Sequence, residues 1–222
     1  MGSLASPRKP GRPRDPDLEA RRRGEILTVA ATLFAEHGFA ATDVQGIADR
    51  LTVGKGTVYR YFRTKEALFL AAVETGLHEL AAALDPLVAD ETADPLDQVA
   101  AAIRAYLRFF ARRPEMAELF IQERAAFPLH HRPLYFSIKS DDQRECNHRK
   151  LFERLVASGK LRPIPQERFF DVMGDLLYGT ILTNLLSGRP ADPDAQAADV
   201  LDVIFHGVLT TAGRTAARRM KR

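Results

Sequence analysis

Between Val53 and Leu68 the chain reads VGKGTVYRYFRTKEAL. Two lysines, two arginines, two tyrosines and two glycines surround a small apolar skeleton. Lys55, Thr57, Tyr59 and Tyr61 carry ammonium or hydroxyl donors, the groups that bind phosphate oxygens. Arg60 adds a guanidinium fork, which can take a phosphate or the two acceptors on a guanine edge. Gly56 has no side chain, so an outside backbone can come close. Lys65 opens the next helix, where free N–H groups and the helix dipole favour an anion. Donors without paired carboxylates or a nucleophile–base set suit the holding of a polyanion, not bond making.

The elements that must position these groups read as helices. Ile26, Leu27, Ala30, Leu33 and Phe34 share one helical face. That helix is expected to start at Asp17, a good N-cap, and to stop at Gly38. Thr42 and Gln45 have the spacing of a capping box, so a second helix opens at Asp43, with Ile47, Ala48 and Leu51 inward. A break at Thr52–Gly54 precedes a short third helix over 55–62. Val53, Val58 and Phe62 complete the apolar set, leaving Lys55, Gly56, Thr57, Tyr59, Arg60 and Tyr61 outward. This is a helix-turn-helix, whose second helix enters a DNA major groove. Thr64 caps a long fourth helix, periodic from Leu68 to Val88. Pro95, Pro114, Pro133, Pro165 and Pro193 then punctuate helical segments near 95–112, 114–127, 133–158, 165–187 and 194–213. No strand alternation persists, and the class is all-α.

Composition supports this. The chain has 222 residues, 45% hydrophobic and 27% charged, enough for a real core. Cys146 is its one cysteine, so no intrachain disulfide can form and a reducing, cytoplasmic setting is expected. The N-terminus lacks the apolar run of a signal peptide. The helix candidate over 168–188, taken as the most apolar, has an uncharged run of 13 residues, short of the roughly 20 needed to span a bilayer. Residues 1–65 carry a net charge of +5, residues 66–213 a net of −7 and the last nine a net of +5. A basic front on an acidic body points the front at a polyanion.

The run ILTVAATLFAEHGFAATDVQGIADRLTVGKGTVYRYFRTKEALFLAAV resembles the DNA-binding domain of the TetR family of bacterial transcriptional regulators, over about residues 20–75. The likeness rests on LFAEHGF, Thr42, the Ile47–Ala48 pair, VGKGTVYRYF and KEAL occurring together. It implies a flexible basic arm over 1–19, a helix-turn-helix domain over 20–65, a helical ligand-binding and dimerisation domain over 66–213 and a basic tail over 214–222. It implies a homodimer on a palindromic double-stranded DNA operator, most often a repressor released by a small-molecule effector. Carried onto this chain, Thr42 and Gln45 meet phosphates, and Lys55, Gly56, Thr57, Tyr59, Arg60, Tyr61 and Lys65 form the main contact surface. The effector is expected to act by moving the fourth helix, which runs from Lys65 toward the pocket. Two positions depart from the family pattern. Thr52 stands where glycine is frequent, and a left-handed backbone is costly for a β-branched residue, so the turn is expected to differ. Gly54 stands where serine is frequent and caps slightly less well.

The arm RKPGRPR resembles an AT-hook core. Its prolines keep it extended, Gly11 keeps it thin, and Arg12 and Arg14 suit a narrow A·T minor groove; the alternative is a basic tail that raises affinity by charge alone. In the body, FFDVMGDLLYGTILTNLLSG is apolar on more than one face, as a helix packed on its own domain and on a partner must be. The segments near 165–187 and 194–213 are the expected dimer surface. An effector pocket is expected among Tyr106, Phe109, Phe110, Met116, Phe120, Phe127, Tyr135, Phe136 and Phe152, with Arg149, Gln122, His130 and His131 as polar handles. So many aromatics suit an apolar or aromatic effector. His130, His131, Cys146 and His148 match no zinc spacing, so neither metal nor cofactor is expected. GxSxG, HExxH and a complete nucleotide fingerprint are absent, which argues against an enzyme. An architectural DNA binder without effector, or an activator of the same fold, would share the helix-turn-helix.

Overall fold

A computed structural model describes residues 15–127, 142–188 and 192–206. Every regular element among the described residues is an α-helix: α1 (Pro16–Ala41), α2 (Val44–Arg50), α3 (Lys55–Tyr61), α4 (Lys65–Ala89), α5 (Pro95–Arg112), α6 (Pro114–Ala126), α7 (Asp142–Ala157), α8 (Gln166–Ser187) and α9 (Pro193–His206).

The N-cap of α1 lies two residues before the expected one. Asp15 accepts the amides of Asp17 and Leu18 at 3.1 and 3.2 Å, and Pro16 supplies a first-turn φ. Residues 16–25 bury nothing; the core face begins at Ile26 and continues through Leu27, Ala30, Ala31, Leu33 and Phe34. Gly38, at φ 81°, breaks the helix where expected.

The start of α2 corrects the expected capping box. Asp43 is the N-cap and accepts the Gln45 amide at 2.9 Å. The Thr42 hydroxyl instead turns inward and donates to carbonyls at the end of α1, Gly38 at 2.8 Å and Leu33 at 3.1 Å. Thr42 is buried, so its side chain is not presented to a phosphate.

The turn before α3 is also corrected. Thr52 does adopt the left-handed region, at φ 54°. The amide of Val53 reaches the Ala48 carbonyl and that of Thr52 reaches Asp49, both at 3.0 Å. These are the two bonds of a Schellman motif, and they offset the roughly 1 kcal/mol cost of a left-handed non-glycine residue. Gly54 then caps α3 with no side-chain bond.

Thr64 accepts the Ala67 amide at 3.0 Å and opens α4, a 25-residue helix. Its inner face, Leu68, Phe69, Ala72, Val73, Leu77 and Leu80, is buried. Among the described residues α4, and not the segment over 168–188, is the helix long and apolar enough to cross a membrane, yet that apolar face is packed inside the protein. α1 packs on α4 and α6; α5 packs on α4 and α9; α7 lies on α4 and α5, and α8 on α6 and α5. The N-terminal helices thus form a helix-turn-helix mounted on a C-terminal helical bundle. The two parts meet at an aromatic cluster in which Phe69 stands 5.1 Å edge-on to Phe34 and to Phe39. Phe127 from the end of α6 closes that cluster, 5.1 Å from Phe39.

Candidate nucleic-acid interface

The inner side of the α2–α3 pair is apolar. Ile47, Ala48, Val58 and Phe62 are buried, and Leu51 and Val53 pack half-buried against them. This fixes which residues of α3 face outward. Tyr59 is 40% exposed, and Arg60 and Gly56 are exposed. Lys55 and Thr57 are half-exposed beside them. A Cβ built on Gly56 would meet nothing within 4 Å. The fold therefore does not need a glycine there, whereas a closely approaching outside backbone would. Tyr61 is the exception to the outward set: its ring packs half-buried against the core. It still serves the surface, because the Arg60 guanidinium lies over it at 5.2 Å.

The other polar groups are held by neighbours. Lys55 Nζ donates to Asp43 at 2.9 Å, and Gln45 Nε2 donates to Asp49 at 2.7 Å. Lys65 Nζ donates to the Ala40 and Thr42 carbonyls, both at 3.1 Å, and stands 4.7 Å from the Phe39 ring centroid. Lys65 thus ties the end of α1 and the start of α2 to α4, a positioning duty that the sequence did not suggest. Arg23 also emerges: its guanidinium lies over Phe62 at 5.1 Å, at the end of α3. The triplet of arginines at 21–23 was its only sequence signal. Arg12 and Arg14 lie outside the described residues.

In the bundle the aromatics divide. Tyr106 and Phe110 of α5, with Ala117, Phe120 and Ile121 of α6 and Tyr178, Ile181 and Leu182 of α8, line a cavity of about 10 Å³. That is room for about one water, against roughly 300–1,000 Å³ for a typical ligand pocket. Phe109 stands edge-on to Phe110 at 5.2 Å, and Phe152 packs on Phe169 at 5.8 Å between α7 and α8. Phe127 belongs to the aromatic cluster at the domain junction, and Met116 fills a notch on α4. Gln122 donates to the Phe34 carbonyl at 2.9 Å, which places it between α6 and α1. Arg149 is exposed beside Cys146 at 3.7 Å. None of these lines the cavity. Tyr135, Phe136, His130 and His131 lie outside the described residues. Among the described residues, no group of three or more His, Cys, Asp or Glu side chains gathers as metal ligands.

No α4 residue lines this cavity. α6 is the helix that has a wall in the cavity and also packs on both α1 and α4. The α8 residues of the cavity wall were missed because their segment reads, by its double apolar face, as a dimer surface.

The model of the bacterial regulatory proteins, tetR family, matches residues 26–72, the stretch from the α1 core face to the first turns of α4. The HTH-type transcriptional repressor KstR2 of Mycobacterium tuberculosis (strain H37Rv) is 31% identical over 159 residues, 71% of this chain and 74% of that protein. KstR2 of Mycolicibacterium smegmatis is 27% identical over 212 residues, 90% of this chain and 97% of that one. Among solved structures, the TetR family transcriptional regulator PfmR from Thermus thermophilus superposes with a TM-score of 0.68 at 26% identity, covering 83% of this chain and 99% of that one. With a helix-turn-helix of this geometry at its front, the chain belongs to the TetR family of transcriptional regulators, DNA-binding proteins and not enzymes.

Proposed function

We propose that the chain is a cytoplasmic, homodimeric repressor that holds a palindromic operator and releases it when a small apolar or aromatic molecule enters the bundle. The outward face of α3 carries this reading. Donors on Lys55, Thr57 and Tyr59 flank Arg60 and the open space over Gly56. Such donors fix register on phosphates, while Arg60 reads a base edge. Repression is favoured by the relatives, two of which are named repressors.

The dimer is supported by α8. Of its many apolar residues only Ile181 is buried, while Val172 is 58% and Leu186 75% exposed. On α9, Val203 and Phe205 are also exposed. A second copy is the natural cover for such a face. Pairing two copies sets two α3 helices about 34–36 Å apart, one turn of duplex.

The effector works through α6. Enlarging the cavity pushes on its α5, α6 and α8 walls, and displacement of Ala117, Phe120 or Ile121 shifts α6 against α1 and α4. The ligand weakens DNA binding only by its preference for the mis-spaced state.

Variants at the α3 face test the reading by binding to DNA pools of every half-site sequence. Tyr59→Phe and Lys65→Ala are expected to weaken binding to all sequences alike. Arg60→Ala is expected to broaden the preferred bases. A changed base preference in Tyr59→Phe, or an unchanged one in Arg60→Ala, would overturn these assignments.

A further inference from the structure

The Asp43 carboxylate stands in the middle of the cationic front. Its Oδ1 takes two bonds at 2.9 Å, one from the Gln45 amide and one from Lys55 Nζ. Those bonds, the amide first and the Lys55 ammonium second, hold the Asp43 carboxyl below its ordinary range, and Lys65 adds to the effect. The same pair lifts the Lys55 ammonium above its own. The bond to Lys55 spans from the start of α2 to the start of α3, so it is no by-product of one helix. Nor is it locked in the core: the Lys55 side chain is 40% exposed and that of Asp43 68%.

We infer that Asp43 is a built-in competitor of backbone phosphate for the Lys55 ammonium, and so sets how tightly the chain holds DNA. This rests on Lys55 being a phosphate contact, as proposed above. A carboxylate and a phosphate oxygen make the same demand on an ammonium group. Binding DNA must therefore either take Lys55 from Asp43 or leave its charge half-used. An exposed pair is weak enough for phosphate to displace it, so the device tunes affinity and does not abolish it. The ordinary expectation for a polar residue on a DNA-facing surface is that its removal weakens binding; here the sign is reversed.

The capping duty of Asp43 can be kept while its charge is removed, because Asn and Ser are equally good N-caps. The test is fluorescence anisotropy of the full dimeric chain at near-physiological salt. The probes are an operator duplex recovered by selection and a scrambled duplex. Asp43→Asn and Asp43→Ser are expected to bind both about three- to tenfold more tightly, with one released pair in each half-site. Lys55→Gln is expected to weaken binding, and Asp43→Asn added to Lys55→Gln is expected to change it less than twofold. Equal or weaker binding by both Asp43 variants, with thermal unfolding unchanged, would overturn the inference alone. So would a gain that persists in the Lys55→Gln background, which would reduce Asp43 to general repulsion. If Lys55→Gln leaves binding intact, the phosphate assignment of Lys55 falls and the inference with it.

Discussion

The α2–α3 front and the α5–α6–α8 cavity are built on opposite plans. At the front, polar groups face outward and several are already held: Lys55 on Asp43, Gln45 on Asp49, Arg60 over Tyr61, and Lys65 on two carbonyls. The cavity is apolar and holds only about 10 Å³. On the proposed function the front meets its target by exchanging side-chain partners, as when Lys55 leaves Asp43, whereas the bundle must open to admit a drug-sized molecule. That difference is what a switch needs. On the proposed function, DNA docking asks only for side-chain exchange, and an effector acts by changing packing, which is bistable where side chains interlock.

The largest expected effect breaks the boundary between the two regions. Phe69 of α4 is fully buried and touches Phe34 and Phe39 of α1 and Phe127 at the end of α6, so it joins the N-terminal helices to the bundle. Phe69→Ala is expected to cost about 3–5 kcal/mol in urea unfolding and to abolish DNA binding at physiological temperature. A loss below about 1 kcal/mol would mean that the regions are not joined through this cluster.

A smaller effect is expected where α6 seats on α4. A Cβ on Gly76 would lie 2.0 Å from Met116 Cε, so the thioether occupies the space an alanine would need. Arg113, at the start of α6, pairs with Glu79 one turn along α4. Gly76→Ala is expected to cost about 1–3 kcal/mol and to shift α6 off α4. In a double-mutant cycle read by thermal unfolding, Gly76→Ala is expected to cost less in a Met116→Ala background than in the unaltered chain, because the buried thioether it meets is gone. No such coupling would place the strain elsewhere and weaken α6 as the coupling helix.

The smallest effect sharpens the front. Thr52 holds a left-handed backbone without being glycine. Thr52→Gly is expected to stabilise the chain by about 1 kcal/mol and to leave base preference unchanged in the half-site pools. A change in preference would show that this turn helps to aim α3.

How far the sequence could be read follows the same divide. Helix boundaries are legible where local chemistry sets them. Gly38, Thr64, Pro95 and Pro114 fall where the helices break or begin, since capping needs only neighbours along the chain. Thr42 misleads because it and Asp43 are both good caps, and the choice depends on carbonyls nine and four residues back, at Leu33 and Gly38. The outward face of α3 is legible by removing apolar positions, except that Tyr61 leans inward. Lys65 is visible as a cation, but its grip on Ala40 and Thr42 needs the fold. In the bundle, aromatic content marks Tyr106, Phe110 and Phe120 but cannot separate them from Phe127 and Phe152, which are packed elsewhere. Core and cavity wall share the same residue types and helical spacing, so only tertiary packing tells them apart.

The proposed function turns on one act, the reading of a specific palindrome by a dimer of this chain. Selection of a random double-stranded DNA pool on the purified full-length chain at near-physiological salt, followed by sequencing, tests it most directly. The expected result is an inverted repeat whose half-sites lie about 10 base pairs apart, centre to centre, or a multiple of that. Recovery of no preferred sequence from folded, dimeric protein would contradict it, and would leave a cationic face that holds duplex DNA without reading it.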